Sequence, residues 1–528
     1  MSSYNKINGT YASESGDLLK KILCQDWGYK GFVMTDWFGG TNAVEQMKAG
    51  NALLMPGTPN QLKEIIEAVK KGQLDEKDLD ENVDKMLNII KETPAFKAYK
   101  ASNTPDLKAH AMVARQSATE GMILLKNDKQ ALPMTKGQTI AAFGNYTYNL
   151  ISGGTGSGDV NEAYTVSLTE GLVNAGFSLN KTVQKAYDDY LKVEIGKQPK
   201  NRPFFLPTPV IPEMPMSKET IAAAITDNVV AVITIGRVSG EFFDRKKDND
   251  YYLTDAEKEL IKNVSDAFHA KGKKVVVVLN VGGVIETASW RGMVDAILLT
   301  WQPGQEAGNA IADIMSGKDN PSGKLATTFT AKYEDDPTSN GFPGKEYGDV
   351  IPLLGGMIKA HAMESNYSEG IYVGYRGFDK QNITPAFEFG YGLSYTDFTY
   401  SNLKLSSSNF KDKITVTVTV KNTGKVAGKE VAQLYLTAPN KTMDKPTQEL
   451  KGFAKTKLLA PNESQTLTFD LDARALCSFD ETTETWVAES GTYTVKMATS
   501  SRNIKLIADF KLAKTLMVEK VNKALPMK

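Results

Sequence analysis

The sequence predicts a multidomain protein in which part of a (β/α)8 barrel is followed by an α/β sandwich domain and then by an all-β sandwich. Three patterns predict this order. Strand–helix units fill the first hundred residues, near-continuous apolar strands alternate with helices in the middle, and strict period-two alternation begins near residue 397. A chain of 528 residues is also too long for one ordinary hydrophobic core, so several domains are expected.

Residues 1–100 are predicted to form part of the barrel. The segments GFVMTDW and NALLMPG are typical of short strands, and helices are predicted near 43–48, 59–71 and 80–90 from their apolar faces. A closed barrel needs eight strand–helix units and about 250 residues. Only about two units are present, so the sequence predicts an incomplete barrel.

Residues 101–118 are polar and broken by a proline, and they are predicted to form a linker. Residues 119–335 are predicted to form the α/β sandwich domain, because apolar strands alternate there with helical segments, as in parallel sheets covered on both faces. The predicted strands of this domain are TIAAFG, NVVAVITIG, KVVVVLN and DAILLTW.

The last third of the chain contains two further regions of different composition, followed by a short tail. Residues 336–396 are rich in glycine, proline and aromatic residues and are predicted to be an irregular segment between domains. Residues 397–511 alternate between apolar and polar, as in KITVTVTVKNTG and GTYTVKMAT, which predicts a β-sandwich resembling a fibronectin type III domain. The tail, 512–528, is charged and is predicted to be weakly helical.

Composition excludes several classes of function. Lysine plus arginine and aspartate plus glutamate number 62 each, so no basic excess indicates a nucleic-acid or membrane partner. No apolar run reaches the roughly 18 residues of a membrane helix. Cys24 and Cys477 fall in different predicted domains and are expected to be thiols. His110, His269 and His361 lack ligand spacing, so neither a metal nor a cofactor is expected.

A carboxylate beside an indole marks the end of the first predicted strand. Asp36 follows the apolar run 32–34, and Trp37 follows Asp36. In α/β barrels the reacting groups lie at the C-terminal ends of strands, and a flat aromatic surface suits the C–H face of a sugar ring. The pattern therefore favours a sugar-cleaving site. The alternative is a helix N-cap aspartate followed by a core tryptophan.

Three motifs around Asp36 indicate a family. SYNKING at 3–9, DWGYKGFVMTDWFGG at 26–40 and AGNALLMPG at 49–57 closely resemble successive motifs of glycoside hydrolase family 3, in the same order. The resemblance implies that Asp36 is the catalytic nucleophile, that Tyr4 lies beside it and that Trp37 contacts the substrate. It also implies that residues 1–100 are the C-terminal part of the barrel.

A second carboxylate, Glu241, follows the strand NVVAVITIG within the sequence GEFFDR at 240–245. A glutamate beyond the end of a parallel strand lies where open α/β sheets place functional groups. In family members of the β-glucosidase type the GExxDR pattern carries the acid/base, so the resemblance assigns that role to Glu241. Asp244 and Arg245 are expected to brace the loop as an ion pair. A solvated loop charge is the alternative interpretation of Glu241.

The segment GGTGSGD at 153–159 suggests a nucleotide site at first sight. The spacing is not GxGxxG, no lysine follows as in a phosphate loop, and no ribose-binding carboxylate lies at the expected distance. Nucleotide binding is therefore not predicted. In the family that this chain resembles, a similar glycine–serine loop faces the active site from the second domain, so Ser157 is expected to contact the sugar.

The resemblance extends over nearly all 528 residues. It implies a retaining, exo-acting β-glucosidase that hydrolyses terminal β-D-glucosyl residues by double displacement, with its two carboxyl groups about 5–5.5 Å apart. The expected substrate is a β-linked gluco-oligosaccharide or an aryl β-glucoside. A β-xylosidase of the same family is the enzymatic alternative. A non-catalytic carbohydrate-binding protein is the alternative from another class.

The upstream barrel motifs of the family, which carry the other sugar-holding residues, are not found in this sequence. We therefore expect a chain truncated at its N-terminus within the catalytic barrel, poorly active alone. We expect it to associate with a second copy or with a fragment that carries the rest of the barrel. The opening MSSYNKINGTYASES has no signal-peptide pattern. The compartment stays open: cytoplasmic if Met1 is the true start, secreted or periplasmic if it is not.

Overall fold

The computed structural model describes residues 1–199, 201, 209–241, 244–353, 356 and 358–525. Within these ranges the predicted fold class is confirmed: a partial α/β barrel precedes an α/β sandwich domain and a fibronectin type III-like β-sandwich. Positions 242 and 243 of the GEFFDR motif lie outside the described residues, as do residues 526–528 of the tail.

The N-terminal part contains four short strands, a helical segment and three α-helices. Its elements are β1 (Lys6–Ile7), β2 (Thr10–Tyr11), a helical segment (Asp17–Asp26), β3 (Val33–Met34), α1 (Ala43–Lys48), β4 (Asn51–Leu53), α2 (Pro59–Lys70) and α3 (Glu76–Glu92). β3 pairs in parallel with β4, and on its other side Thr35 forms a parallel bridge to Ser2. The three predicted helices are confirmed. α3 begins earlier than predicted because Asp75 caps it by accepting from the N–H of Lys77.

A six-stranded sheet forms the centre of the second domain. Its strands are β5 (Ile123–Asn127), β6 (Thr139–Phe143), β7 (Ser178–Leu179), β8 (Val229–Arg237), β9 (Val275–Val281) and β10 (Ala296–Leu299). The spatial order is β5-β10-β9-β8-β6-β7, and only β5 runs antiparallel to its neighbour. Every residue of β8 and β9 is buried because helices cover both faces of the sheet, which accounts for their continuous apolar sequence. All four predicted strands are confirmed.

Seven helices of the described residues belong to this domain. They are α4 (Leu107–Gly121), α5 (Asn145–Tyr148), α6 (Leu168–Asn174), α7 (Lys181–Gly196), α8 (Lys218–Ala223), α9 (Asp255–His269) and α10 (Ala307–Met315). The stretch predicted as a linker, 101–118, is thus helical from Leu107 onward. Arg115 of α4 pairs with Asp313 of α10 at 2.6 Å, which fixes this helix to the domain. In the part of the chain that the structure describes, no helix is both long and apolar enough to cross a membrane.

The segment predicted to be irregular contains an antiparallel hairpin and a short helix. β11 (Lys345–Leu353) pairs with β12 (Ile358–Glu364), and α11 (Tyr375–Lys380) follows. The register of the hairpin shifts between Tyr347 and Val350. Most of its described side chains are exposed. Because the hairpin lacks a buried face, it also lacks the apolar alternation on which the sequence prediction depended.

The β-sandwich packs two sheets, in the orders β13-β14-β17 and β16-β15-β20-β21, and adds a small third sheet, β18-β19-β22. Its strands are β13 (Phe398–Leu405), β14 (Lys413–Asn422), β15 (Val431–Thr437), β16 (Glu449–Lys455), β17 (Ser464–Asp472), β18 (Ser478–Asp480), β19 (Thr485–Ala488), β20 (Gly491–Ala498), β21 (Ile504–Leu512) and β22 (Leu516–Lys520). The helical prediction for the tail is wrong. β22 pairs with the free edge of β19, and Leu516 and Val518 pack against the sandwich core, which a helix could not do in this position.

After β22 the chain returns to the N-terminal part. The Asn522 side chain donates to Asp26 at 2.7 Å, and the Asn8 side chain donates to the carbonyl of Leu525 at 2.7 Å. The end of the third domain therefore contacts the partial barrel directly, although the two are at opposite ends of the sequence.

Candidate active site

Asp36 lies at the C-terminal end of β3, where the sequence predicts a reacting carboxylate. Its main-chain N–H donates to the carbonyl of Ser2 at 3.0 Å. Its Oδ1 accepts two hydrogen bonds, from the Tyr4 hydroxyl at 3.0 Å and from the Trp37 main-chain N–H at 2.7 Å. The strand end, the phenol and the next N–H group together fix the direction of this carboxylate.

The indole of Trp37 follows directly and is 48% exposed. The alternative interpretation, in which Asp36 caps a helix and Trp37 lies in the core, is wrong. Helix α1 is capped instead by Asn42, whose Oδ1 accepts from the N–H groups of Val44 and Glu45. The half-exposed indole therefore offers a flat apolar surface next to the Asp36 carboxylate.

The loop between Asp36 and α1 is braced by side chains that the sequence analysis did not single out. Oε1 of Glu14 accepts from the main-chain N–H groups of Thr41 at 2.6 Å and Asn42 at 2.9 Å. The Gln46 side chain donates to the carbonyl of Gly39 at 2.6 Å. No local pattern marks Glu14, because its contacts depend on how two separate segments fold together.

Tyr4 lies within the electrostatic influence of both candidate carboxylates. Burial raises the pKa of the Tyr4 phenol, the hydrogen bond to Asp36 raises it further, and the negative charges of Asp36 and Glu241 add to the effect. At neutral pH Tyr4 therefore stays protonated and remains a hydrogen-bond donor to Asp36. The charge of a second-domain carboxylate thus acts on a phenol of the partial barrel.

Glu241 lies beyond the end of β8 and is partly buried. Its Oε2 accepts the main-chain N–H of Ser157 at 2.5 Å. The carboxylate is thus held by a second loop, which differs from the freely solvated charge considered as an alternative. The side chain of Ser157 is exposed, and its contact with a sugar stays a prediction.

The predicted ion pair between Asp244 and Arg245 is wrong. Arg245 pairs with Asp250, with 2.6 Å between Nη2 and Oδ1, and its Nη1 donates to the carbonyl of Val284 at 2.8 Å. The chain turns back over 247–251, where Asn249 has a φ of +60° and the Tyr251 N–H donates to the carbonyl of Lys246 at 3.0 Å. This turn brings Asp250 toward Arg245. Arg245 therefore ties the segment after Glu241 to the end of β9.

The site consists of two carboxylates, a phenol and an indole. Among the described residues, no group of three or more histidine, cysteine, aspartate or glutamate side chains could hold a metal ion. One carboxylate is fixed at a barrel strand end and the other on a loop of the second domain. Two carboxylates can carry out nucleophilic attack and proton transfer where both reach one bound molecule.

Comparison with known families identifies all three domains. The glycosyl hydrolase family 3 N terminal domain matches residues 1–89, and the glycosyl hydrolase family 3 C-terminal domain matches residues 122–395. A fibronectin type III-like domain matches residues 430–501. The two family 3 domains occur in the order that the motifs around Asp36 and Glu241 predict.

Two relatives and one solved structure extend the comparison. Over 98% of its length the chain is 35% identical to thermostable beta-glucosidase B of Acetivibrio thermocellus, of which it spans 64%. Over 79% it is 36% identical to beta-glucosidase A of Butyrivibrio fibrisolvens, of which it spans 53%. The structure of beta-glucosidase 3B from Thermotoga neapolitana in complex with alpha-D-glucose matches at 45% identity and a TM-score of 0.90, covering 97% of this chain and 70% of that one.

The chain thus spans less than two thirds of the length of the two relatives, while the similarity covers 98% of the chain for the first and 79% for the second. Both family domains match in order, and the structural match includes the partial barrel as well as the two later domains. On this evidence the chain belongs to glycosyl hydrolase family 3.

Proposed function

We propose that the chain carries the nucleophile and the acid/base of a retaining, exo-acting β-glucosidase. The arrangement around Tyr4 supports this most directly, because its phenol donates to Asp36 and the charge of Glu241 adds to burial and to that hydrogen bond in raising its pKa. One carboxylate belongs to the barrel, beside the Trp37 indole, and the other belongs to the second domain. Retaining glycosidases use a pair of carboxylates about 5–5.5 Å apart.

In the proposed reaction Asp36 attacks the anomeric carbon of a terminal β-D-glucosyl residue while Glu241 protonates the departing glycosidic oxygen. Both hydrogen bonds to the Asp36 side chain end on Oδ1, so we assign the attack to Oδ2. The glycosyl ester on Asp36 then reacts with water, whose proton passes to the Glu241 carboxylate. Glucose leaves with its β configuration retained.

The remaining site residues hold the reacting groups and the sugar. Tyr4 is a neutral donor that orients the nucleophile. The exposed face of Trp37 suits the apolar C–H face of a glucosyl ring. The exposed hydroxyl of Ser157 is our candidate for a contact from the second domain to the sugar. We propose β-glucosides rather than β-xylosides as substrates because both relatives described above are named beta-glucosidases.

We further propose that a further barrel segment packs on the partial barrel and completes the sugar-binding shell. Leu62 and Ile66 on α2 are 61% and 45% exposed, and Leu87 and Ile90 on α3 are 46% and 44% exposed. Apolar rows of this kind on amphipathic helices are usually covered by protein. The occupant we propose is a barrel segment that supplies further strand–helix units.

The nucleophile is tested by trapping the glycosyl-enzyme with 2-deoxy-2-fluoro-β-D-glucosyl fluoride and locating the added mass by peptide mass spectrometry. We expect the adduct on the peptide that contains Asp36 and no adduct in Asp36→Ala. Asp412→Asn, at an exposed carboxylate of the β-sandwich, is the control and should label like the unchanged chain. An adduct elsewhere would refute the assignment.

Assays of the same protein distinguish the β-glucosidase from the two alternative functions, a β-xylosidase and a non-catalytic carbohydrate-binding protein. Hydrolysis of an aryl β-xyloside faster than the matching β-glucoside would favour the β-xylosidase. Binding of glucose or cellobiose with neither turnover nor adduct, in the presence of the completing barrel segment, would favour a non-catalytic carbohydrate-binding protein. We expect instead that β-glucoside is hydrolysed and that the rate rises when the barrel segment is supplied.

A further inference from the structure

The loop GGTGSGD at 153–159, here called the glycine loop, packs against the segment that carries Glu241. The Thr155 main-chain N–H donates to the carbonyl of Ser239 at 3.3 Å. A Cβ atom built on Gly154 would lie 3.2 Å from that same carbonyl oxygen. The two loops are therefore in backbone contact just before Glu241.

The contact continues onto the Glu241 side chain itself. Gly156 has a φ of +65°, and a Cβ atom at this position would overlap Oε2 of Glu241 and lie 2.6 Å from its Cβ. The next residue, Ser157, donates its main-chain N–H to the same Oε2 at 2.5 Å. Glycine at 156 thus provides the space in which the carboxylate lies, and Ser157 provides the hydrogen bond that holds it.

We infer that the glycine loop is a positioning device for the acid/base, in which Gly156 makes room for the Glu241 carboxylate and the Ser157 N–H fixes one of its oxygens. This inference rests on the proposed function, because it gives Glu241 the acid/base role. In this inference the glycine-rich loop binds a carboxylate of the protein itself, and not the phosphate of a nucleotide.

The geometry also determines which oxygen of Glu241 carries the proton. A main-chain N–H can only donate, so Oε2 acts as an acceptor in this arrangement. The hydroxyl of the neutral carboxyl is then on Oε1. In the first step the proton leaves Oε1 for the glycosidic oxygen as the C–O bond to the alcohol breaks. In the second step Oε1 takes the proton of the water whose oxygen attacks the glycosyl ester.

Gly156→Ala is the direct test, and the chain offers two matched controls. Gly158→Ala changes the same loop at a position where an added Cβ meets no atom within 4 Å. Gly72→Ala imposes the same backbone strain, since Gly72 has a φ of +66°, again with no atom within 4 Å. Only Gly156→Ala combines the strained backbone with a collision against Glu241.

The first measurement does not depend on turnover. In protein labelled with 15N-serine, the Ser157 amide resonance is identified by its loss in Ser157→Ala. We expect Glu241→Gln to shift this resonance in the unchanged chain and in Gly158→Ala, because the negative charge beside the Ser157 N–H is removed. In Gly156→Ala, where the carboxylate is displaced, adding Glu241→Gln should leave the resonance where it is. A Ser157 resonance that Glu241→Gln fails to shift in the unchanged chain, or still shifts in Gly156→Ala, would overturn the inference.

The second measurement tests whether the position of the Glu241 carboxylate matters for proton transfer to the leaving group. Values of kcat/KM are compared for 2,4-dinitrophenyl β-glucoside, whose leaving group needs no protonation, and for an alkyl β-glucoside, whose leaving group does. With the completing barrel segment present, Gly156→Ala should lose about 100-fold on the alkyl glucoside and less than about threefold on the dinitrophenyl glucoside. Both glycine controls should keep the ratio of the unchanged chain.

The two measurements also distinguish the inference from the proposed function. Equal losses on both substrates in Gly156→Ala would overturn the role in proton transfer. An unchanged chain that hydrolyses neither substrate would count against the proposed function, while the effect of Glu241→Gln on the Ser157 amide resonance would still decide whether the loop holds the Glu241 carboxylate.

Discussion

The Tyr4 hydroxyl donates at 3.0 Å to Oδ1 of Asp36, from a bend that follows the parallel bridge between Ser2 and Thr35. The register that permits this contact is set two residues earlier, where Ser2 pairs with Thr35. A slip of this bridge by one residue would displace the bend that carries Tyr4 relative to the Asp36 carboxylate. The orientation of the proposed nucleophile therefore depends on the strand pairing of the first few residues.

Tyr4→Phe is predicted to impair the first step while keeping the aromatic ring. A hydrogen bond to a charged group contributes about 1.5–3 kcal/mol. We therefore expect kcat/KM on an aryl β-glucoside, or the trapping rate where turnover is slow, to fall roughly 10- to 100-fold. Tyr29→Phe is the control, because the Tyr29 hydroxyl donates at 2.9 Å to the carbonyl of Phe32 instead. Equal losses in the two variants would contradict the role of Tyr4.

Glu213 is predicted to make the stability of the second domain depend on pH near neutrality. It is only 9% exposed, and it accepts from the Asn145 N–H and the Tyr187 hydroxyl, each at 3.0 Å. Burial raises the pKa of Glu213 to about 7 despite these hydrogen bonds. Because the folded domain holds this proton more tightly than the unfolded chain does, the contribution is complete below about pH 4.5 and is lost as the pH rises through about 7.

The measurement is thermal unfolding at pH 5.5 and pH 8. Glu213→Gln keeps an acceptor but cannot ionise, so it should remove about 2–3 kcal/mol of the difference in unfolding free energy between the two conditions. Glu219→Gln, at an exposed carboxyl on α8, is the control and should leave the difference as it is. A pH dependence that survives in Glu213→Gln would show that another group is responsible.

The β-sandwich contains a buried ion pair whose loss is predicted to destabilise it. Lys445 and Glu489 lie 2.7 Å apart, with 2% and 5% of their side chains exposed. Burial alone would raise the pKa of Glu489, but the hydrogen bonds from Lys445 and Thr442 outweigh it and lower the pKa to about 2. This contribution to stability is present above about pH 4.5 and is lost as the pH falls toward 2.

Glu489→Gln leaves the Lys445 ammonium buried without its counter-charge, which we expect to cost about 3–5 kcal/mol of unfolding free energy in urea. The control is Asp470→Asn, since Asp470 pairs with Lys413 at 3.0 Å on the surface, where both side chains are about half exposed. That substitution should shift the urea midpoint very little. A comparable shift in the two variants would mean that burial of the Lys445–Glu489 pair is unimportant.

Burial explains which parts of the fold the sequence could predict. β8 and β9 are covered on both faces, so their apolar runs are visible without any knowledge of tertiary structure. The hairpin over 345–364 is mostly exposed and has no such signature. β22 is defined by the edge of β19, which is 28 or more residues away in the chain at its paired positions, so its pairing could not be deduced from local pattern.

The candidate site likewise has a part that could be predicted from the sequence and a part that could not. The contact between Tyr4 and Asp36, with Trp37 beside them, could be predicted because a strand end and the three surrounding motifs lie between residues 3 and 57. The hydrogen bond from the Ser157 N–H to Glu241 joins residues that are 84 positions apart in the sequence. Arg245 forms its ion pair with Asp250 only because the chain turns back between them. Residue type and family resemblance suggested which side chains take part, whereas their partners depend on tertiary contacts.

The apolar faces of α2 and α3 are predicted to bind a barrel segment. The probe is the part of the Thermotoga neapolitana enzyme that this chain does not cover, mixed with the chain and followed by size-exclusion chromatography with light scattering. Ile66→Lys and Leu87→Lys place a charge in the proposed interface, where burying one such apolar side chain contributes about 1.5–3 kcal/mol, so each should weaken association at least roughly tenfold.

Val193→Lys is the control for this interface, because Val193 lies on α7 of the second domain and is 57% exposed. It should leave association unchanged, since a surface valine outside the interface has no partner to lose. Self-association that is abolished by Ile66→Lys, with no binding of the barrel segment, would identify a second copy of the chain as the occupant instead. If neither species binds, the exposed residues of α2 and α3 are not an interface, and the completing segment must be sought elsewhere on the partial barrel.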